Sequence, residues 1–407
     1  MATRLRRPGT RGTAYWAGSA FAAVLVAVLH FLVRADDEGW MTDLRVYLDG
    51  AHLPATALYT TPLGPFGLLF QYPPVAADLF ALLPRDTPDA VAVGWNAVSL
   101  LALQAAVWSC LRLAGARRSV RAVAALAAAV ASPLLEPVEN SLFVGQLNLV
   151  LMALVACDLA LLPRRAQGVG IGLATALKLI PGVFVVFLLA TRRFRAAATA
   201  LGCFTAISAV ELVRRPVETA HFWATLGITP RGEAPENLFS RSAWSVLVRA
   251  THGRADLAVL RTVLFGLIAV LVVLLVAAIH RRTRSTSDAV VAPLLAWALA
   301  ADLLAPVAWA HYWVWIAPTL VLCCRWAWTL RSPGWGAVLA AVVAAFTARS
   351  QWWEVTPYRE ALALSPVELL ETSALPAATA LLLAAMAWAA GRAPVHPAPA
   401  DAAPACA

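Results

Sequence analysis

Apolar stretches of about 18 residues or more recur along the chain, separated by short arginine clusters and a few longer polar segments. The first covers residues 14–33 and follows Arg4, Arg6, Arg7 and Arg11, so the positive-inside rule places the N-terminus in the cytoplasm. It has a basic leader but no small-residue cleavage pattern after it, so it reads as a retained span. Further crossings are expected at residues 90–113, 122–135, 145–162, 194–212, 257–279, 289–304, 312–328, 335–347 and 374–390.

Two apolar stretches do not fit a simple crossing. Residues 66–84 are broken by Pro73-Pro74, with Asp78 soon after, and read as an amphipathic or re-entrant element on the outer surface. The alternative, a complete span, would reverse the sidedness of every later segment. Residues 168–190 lie between Arg164-Arg165 and Arg192, Arg193 and Arg195, so a single crossing would put one cluster on the wrong face. Gly168, Gly170, Gly172 and Pro181 favour two half-helices that enter and return, with Lys178 close to the turning point.

The expected organisation is therefore a basic cytoplasmic N-terminus (1–13), one membrane domain (14–390) and an Ala/Pro-rich cytoplasmic tail, disordered, over 391–407. Within the domain, residues 34–89 form the first outer loop, 213–256 a long outer loop, and 352–360 a tryptophan-rich loop. The fold class is all-α and polytopic, with about 10–12 transmembrane helices.

Composition strengthens this reading. Of 407 residues, 61% are hydrophobic and only 14% charged, and the mean hydropathy is +0.72. The net charge of +9 does not point to nucleic acid, because the cations sit in short clusters between spans. Six cysteines lie mostly inside apolar runs without metal spacing, and small core residues are the expected role. Every cation but one is arginine; the exception, Lys178, lies inside an apolar run.

Candidate chemistry begins in the first outer loop. Asp36, Asp37 and Glu38 stand where a span leaves the bilayer and read as a solvated edge. Asp43 stands away from it. In a helix, Asp43, Tyr47, Gly50 and Ala51 share one face, a surface that a sugar can approach closely. An ordinary loop carboxylate is the competing reading.

Lys178 is the second candidate. A cation at bilayer depth is disfavoured by about 2.5–3.5 kcal/mol on insertion scales, so it either snorkels or has a partner and a task such as holding a lipid phosphate. His311, among Trp309, Trp313 and Trp315, suits either a phosphate or sugar contact or an aromatic belt. Gln146 and Asn148 open a span, where amides often only cap the helix. Arg241 and Arg249 in the long outer loop can reach a phosphate, although exposed loop arginines are common. No glycine-rich nucleotide loop, paired-aspartate metal motif or His/Cys cluster is present, so no cofactor and no metal are expected.

In order and spacing, several segments together resemble glycosyltransferase family 87, the polyprenol-phosphate-mannose-dependent mannosyltransferases of the GT-C fold. They are Asp43-Leu44-Arg45-Val46-Tyr47, Leu58-Tyr59, Phe70-Gln71-Tyr72-Pro73-Pro74, Gly145-Gln146-Leu147-Asn148, Ala176-Leu177-Lys178-Leu179-Ile180-Pro181 and Pro306-Val307-Ala308-Trp309-Ala310-His311. The resemblance covers most of the chain. It departs from the family pattern at Ala310 and Tyr312, where an acidic residue and a second histidine are common, and at Ser240-Arg241-Ser242, where an Asn-Gln-Ser run is usual.

The resemblance implies a catalytic first extracytoplasmic loop with Asp43 as the base and no metal. It also implies inverting transfer of mannose from a polyprenyl-phosphate donor to a glycolipid acceptor of phosphatidylinositol mannoside or lipoglycan type. Tyr47 and Tyr72 would stack on the sugar, and Gln146, Asn148 and Arg249 would contact substrate. Lys178, with His311 assisting, would stabilise the departing phosphate. The localisation implied is a cell membrane, with both termini cytoplasmic. Alternatives are a lipid-linked sugar flippase or transporter, although no internal repeat is visible, or a catalytically inactive relative.

Overall fold

The computed structural model describes residues 10–84, 88–226, 237–348, 362–390 and 392. The tryptophan-rich loop, the tail beyond Arg392, most of the basic leader and part of the long outer loop lie outside the described residues.

The chain runs through α1 (Thr10–Arg34), α2 (Thr42–Gly50), α3 (Pro74–Phe80), α4 (Pro88–Leu113), α5 (Arg118–Ala131) and α6 (Glu136–Val144). It continues with α7 (Asn148–Leu161), α8 (Val169–Leu177), α9 (Val183–Ala190), α10 (Phe194–Arg214), α11 (Pro216–Thr225) and α12 (Ala243–Ala250). The last part holds α13 (Ala258–Thr283), α14 (Val291–Leu304), α15 (Ile316–Leu330), α16 (Pro333–Thr347) and α17 (Pro366–Ala389). Short 3-10 turns occupy Ser132–Leu134, Ile180–Gly182, Ala255–Leu257 and Ala310–Trp315.

The all-α polytopic membrane architecture expected from the apolar pattern is borne out. Among the described residues, six helices are long and apolar enough to cross a bilayer: those in α1, α4, α10, α13, α15 with its preceding 3-10 turn, and α17. α7, α14 and α16 are shorter apolar helices at expected crossings. The lipid-facing side of α13 is nearly bare, with only 17% of its apolar window buried, whereas 56% of the α4 window is buried in the helix bundle. An apolar surface so large is stable only where the solvent is itself apolar.

The expected crossing at residues 122–135 is part of a bent pair: α5 and the turn after it meet α6 at 80°. Pro133 and Pro137 explain the bend, because a proline ring collides with the carbonyl four residues earlier in a continued helix. Glu136, Glu139 and Asn140 are buried along α6. Glu139 meets Arg34 Nε at 3.3 Å and Glu136 meets Arg241 Nη2 at 3.5 Å, so the buried carboxylates have cationic partners.

Gly145 ends α6 with φ +76°. A Cβ there would lie 2.6 Å from Leu44 Cβ and 2.9 Å from Met41 Sδ, so only glycine lets α2 press against this corner. Met41 N donates to Phe143 O at 2.8 Å and seals the contact. α3, the Pro-Pro element, has seven residues. At 1.5 Å per residue it is about 10 Å long, too short to cross a bilayer.

Around Lys178 the chain breaks. α8 ends at Leu177, Lys178 is extended (φ −154°, ψ 130°), and a 3-10 turn leads into α9. Pro181 would strike the Leu177 carbonyl in a continuous helix, so the break is written in sequence. The start of α8 is fastened to α7 by Asp158, whose carboxylate accepts from Gly168 N at 2.7 Å and Gly170 N at 2.8 Å. Such acceptors satisfy amides that a helix start otherwise leaves unpaired.

Candidate active site

α2 brings Asp43 and Tyr47 to the break between α8 and α9, where Lys178 waits. Asp43 is half-buried, and its Oδ2 accepts from Gln146 Nε2 at 2.7 Å. The other end of that amide, Oε1, accepts from Lys178 Nζ at 3.3 Å. Lys178 also donates to Asn148 Oδ1 at 3.0 Å and Tyr72 Oη at 3.3 Å. Tyr72 Oη in turn donates to Gln146 Oε1 at 3.2 Å and accepts from Tyr47 Oη at 2.8 Å. Asp43, Tyr47, Tyr72, Gln146, Asn148 and Lys178, each a sequence candidate, thus belong to one bonded network.

Lys178 is only 6% exposed. The snorkelling reading of Lys178 is therefore set aside: its donors are turned inward to three oxygens rather than toward a water interface. Two rings flank it, Tyr312 with its centroid 4.6 Å from Nζ and Tyr72 at 5.1 Å, distances at which a cation is attracted to a π face. Asn148 does not cap its helix. Its Nδ2 donates to the His311 carbonyl at 2.6 Å while Oδ1 takes the lysine.

Tyr72 is held from several sides. Tyr59 Oη donates to its carbonyl at 2.9 Å, and its ring meets the edge of Tyr47 at a 5.0 Å centroid separation. Tyr47 stacks on Phe80 of α3 at 4.5 Å. Buried beside Tyr72 and Asp43, the Tyr47 phenol is pushed well above its ordinary value of 10, chiefly by desolvation. It is therefore a neutral hydroxyl donor at any working pH.

His311 is buried rather than part of an exposed belt. Its Nδ1 lies 3.0 Å from Asn140 Oδ1, and its ring is parallel to that of Trp309 at 6.4 Å. It joins the lysine network through its backbone, by way of Asn148.

Arg249, expected in the long outer loop either as a phosphate contact or as an ordinary exposed arginine, is 1% exposed. Its Nη1 donates to Asn237 O at 3.0 Å and Ser240 O at 2.8 Å, whereas Nε and Nη2 have no hydrogen-bond partner among the described residues. Burial pushes this guanidinium down to about 9, so it remains a cation at neutral pH. The Ser240-Arg241-Ser242 run stitches the loop before His311: Ser240 bridges to Trp309, Arg241 N donates to Ala308 O at 2.6 Å, and Ser242 Oγ donates to Pro306 O at 3.2 Å.

A hollow of about 40 Å³ opens at Lys178 and Asn148. Its wall is otherwise mostly apolar: Leu151, Met152 and Val155 down one side of α7, Ile180, Pro181 and Phe184 at the helix break, and Tyr312, Val314 and Trp315 opposite. Asp302 of α14 is the acidic side chain in it. Sequence reading passed over Asp302, although it is the one charged residue of an apolar crossing. Asp43, Tyr72 and Gln146 meet the hollow through Lys178 rather than forming its wall. Among the described residues, no group of three or more His, Cys, Asp or Glu side chains could hold a metal ion.

One hydrogen-bonded network joins the Asp43 carboxylate to the buried Lys178 at a helix break, and the family model for glycosyltransferase family 87 matches residues 70–306. The chain belongs to glycosyltransferase family 87. It is a membrane-embedded glycosyltransferase with the all-α GT-C architecture.

Relatives of this family 87 chain include two from Mycobacterium tuberculosis. A polyprenol-phosphate-mannose-dependent alpha-(1-2)-phosphatidylinositol mannoside mannosyltransferase is 31% identical over 319 residues, 74% of this chain and 73% of its own. A polyprenol-phosphate-mannose-dependent alpha-(1-2)-phosphatidylinositol pentamannoside mannosyltransferase is 29% identical over 346 residues, 79% and 77% of the two chains. A phosphatidylinositol mannoside mannosyltransferase of Mycolicibacterium smegmatis, of the same donor dependence and linkage, is 32% identical over 338 residues, 76% and 74%. No solved structure matches the chain significantly.

Proposed function

We propose that this family 87 glycosyltransferase moves mannose from polyprenyl-phosphate mannose to a lipid-linked glycan acceptor of phosphatidylinositol mannoside or lipoglycan type. The transfer takes place at the extracytoplasmic face of a cell membrane, both termini are cytoplasmic, and residues 14–390 act as one GT-C domain. The donor is the one named for the relatives. The observation that carries the mechanism is the single amide, Gln146, that separates the Asp43 carboxylate from the Lys178 ammonium.

In the proposed step, Asp43 takes the proton of an acceptor hydroxyl, whose oxygen attacks C1 of the mannosyl phosphate from the face opposite the phosphate. The C1–O bond breaks, and its electron pair leaves on the phosphate oxygen. The products are an α-mannoside, polyprenyl phosphate and protonated Asp43. Positioned proton transfer contributes about 10²–10⁴-fold to such reactions. Lys178 lies where charge accumulates on the leaving phosphate, in surroundings poor in water, where a preplaced cation is most effective.

Tyr47 and Tyr72 supply ring faces and hydroxyls for the sugar, while Gln146 and Asn148 fix the lysine. Arg249, whose Nε and Nη2 have no partner among the described residues, is a candidate contact for a lipid phosphate, and His311 supports the phosphate side of the site. The apolar wall beyond Lys178 suits the prenyl end of the donor.

Purified protein supplied with radiolabelled polyprenyl-phosphate mannose and a panel of acceptor lipids tests this. Wild type is expected to yield mannosylated lipid, and Asp43→Asn to bind donor yet lose at least about a hundredfold in transfer. Normal turnover by Asp43→Asn would remove the base assignment. Donor moved across the bilayer but left unreacted would replace the transferase reading with a transporter.

A further inference from the structure

Glu211 of α10 and Thr219 of α11 face a second cleft, of about 10 Å³, closed on its far side by Pro73-Pro74 at the start of α3. Both residues are buried, at 4% and 3% exposure. Yet Glu211 Oε2 and Thr219 Oγ1 have no hydrogen-bond partner among the described residues. Buried polar atoms of folded proteins are nearly always bonded, so two orphans on one cleft point to a group that enters it. The proposed transfer step uses neither residue.

The wall of the cleft narrows the chemistry. Arg214 and Arg215 stand close by, but neither lines it and both are engaged. Asp78 takes Arg214 Nη1 at 2.7 Å and Arg215 Nε at 3.0 Å. Glu211 Oε1 lies 3.5 Å from Arg214, and Glu218 lies 3.6 Å from Arg215. A phosphate would therefore meet two oxygen atoms and no lining cation among the described residues. A hydroxyl group fits, because it can donate to the Glu211 oxygen while bonding the Thr219 hydroxyl. A carboxyl group bonds a hydroxyl in either protonation state, so the fit does not depend on the charge of Glu211. About 10 Å³ admits one group the size of a water molecule, so the hydroxyl enters and the ring that carries it stays outside. Trp223, 42% exposed at the rim, leaves indole surface for the apolar side of such a ring.

The cleft is also next to the reacting centre. Pro73 follows Tyr72 directly, and Ala176, another wall residue, precedes Lys178 by two residues, a backbone reach of at most about 7 Å. Asp43 is not part of the wall, so the hydroxyl held here is not the one that is attacked.

We propose that this cleft is an acceptor subsite for a neutral sugar beyond the one that reacts, with Glu211 and Thr219 bonding one of its hydroxyls and Trp223 under its ring. This rests on the reading of the chain as a transferase with a glycolipid acceptor. The subsite makes an acceptor of two sugars better than an acceptor of one.

The test uses the full chain in detergent, radiolabelled polyprenyl-phosphate mannose and two acceptor probes, octyl mannoside and octyl dimannoside. Wild type is expected to favour the dimannoside on the order of tenfold in kcat/KM, as two hydrogen bonds allow. Thr219→Val and Glu211→Leu are each expected to cut that preference several-fold by raising the dimannoside KM, with donor KM unmoved. Ser208→Leu, on the same wall, fills the cleft without touching either polar group and is expected to do the same. A wild type that uses both probes equally would overturn the proposal. So would variants that weaken both probes equally, the result expected if the cleft only holds a structural water. The two levels of inference separate cleanly. No transfer by wild type to either probe or to the panel of acceptor lipids would defeat the transferase reading, and the subsite with it. Transfer with the same preference in wild type and all three variants would defeat the subsite alone.

Discussion

Asp43 and Lys178 grip opposite ends of one side-chain amide, Gln146, with the carboxylate taking the NH₂ end at 2.7 Å and the ammonium meeting the carbonyl end at 3.3 Å. The partners determine which way the amide points, since each end suits only one of the two charges. Gln146 therefore acts as a spacer of fixed polarity between the proposed proton acceptor and the proposed phosphate-holding group.

Gln146→Ala is expected to lower kcat/KM by about 10–100-fold, matching the loss of hydrogen bonds to charged groups worth about 1.5–3 kcal/mol. Gln146→Glu keeps the shape but sets a negative charge against Asp43, and is expected to be at least as damaging. Steady-state transfer assays with both variants check this; an active Glu variant would argue against the spacer role.

Tyr47 yields a pH prediction. Its folded-state value lies well above the ordinary 10, so the unfolded chain ionises first as pH rises. The folded state then holds more protons than the unfolded one, and stability falls with pH. This contribution is complete below pH 10 and is lost as pH climbs above it. Thermal unfolding of wild type and Tyr47→Phe between neutral and strongly alkaline pH is expected to show a shallower alkaline decline in the variant. Near pH 7, losing the bond to Tyr72 is expected to destabilise Tyr47→Phe by about 0.5–1.5 kcal/mol.

Much of the site was legible because its residues come in short runs whose order survives: Asp43 and Tyr47, Tyr72 before the prolines, Gln146 and Asn148, Lys178 before Pro181. What each amide does was not legible. A polar residue at a helix start caps in most contexts, and only the approach of α8 shows that Asn148 reaches for Lys178 instead. The 80° turn before α6 falls where the crossing at residues 122–135 was expected to end, next to Pro133 and Pro137. Asp302 was overlooked because one acid in fourteen residues barely alters apolar periodicity. Arg249 looked like a surface cation because nothing in its neighbourhood announces a buried loop. The six long apolar helices were readable, because apolar length is a property of the chain alone.

Asp158 makes a stability prediction far from the chemistry. Asp158→Ala leaves the Gly168 and Gly170 amides without their acceptor, at about 1–3 kcal/mol for a buried unsatisfied group. Gly170→Ala would set a Cβ 2.7 Å from the Leu154 carbonyl and wedge α8 off α7. Both are expected to lower the melting temperature in detergent. Both are also expected to reduce activity, because α8 delivers Lys178.

Arg249→Gln distinguishes a structural from a ligand-contacting arginine. If its Nε and Nη2 meet a lipid phosphate, KM for donor or acceptor rises several-fold while melting changes modestly. If the guanidinium only secures Asn237 and Ser240, melting falls with about 1–3 kcal/mol of lost stability and KM stays near wild type. Kinetics and unfolding on the same preparation decide between these outcomes.

That every other cation is arginine has a practical corollary. The protein carries one side-chain amine, and it is the group on which the proposed chemistry converges. Acylating reagents, lysine-directed crosslinkers and lysine-seeking proteases therefore find one internal target, shielded until its hollow opens. The extent of labelling at position 178 is a direct gauge of whether the donor chamber is open or filled.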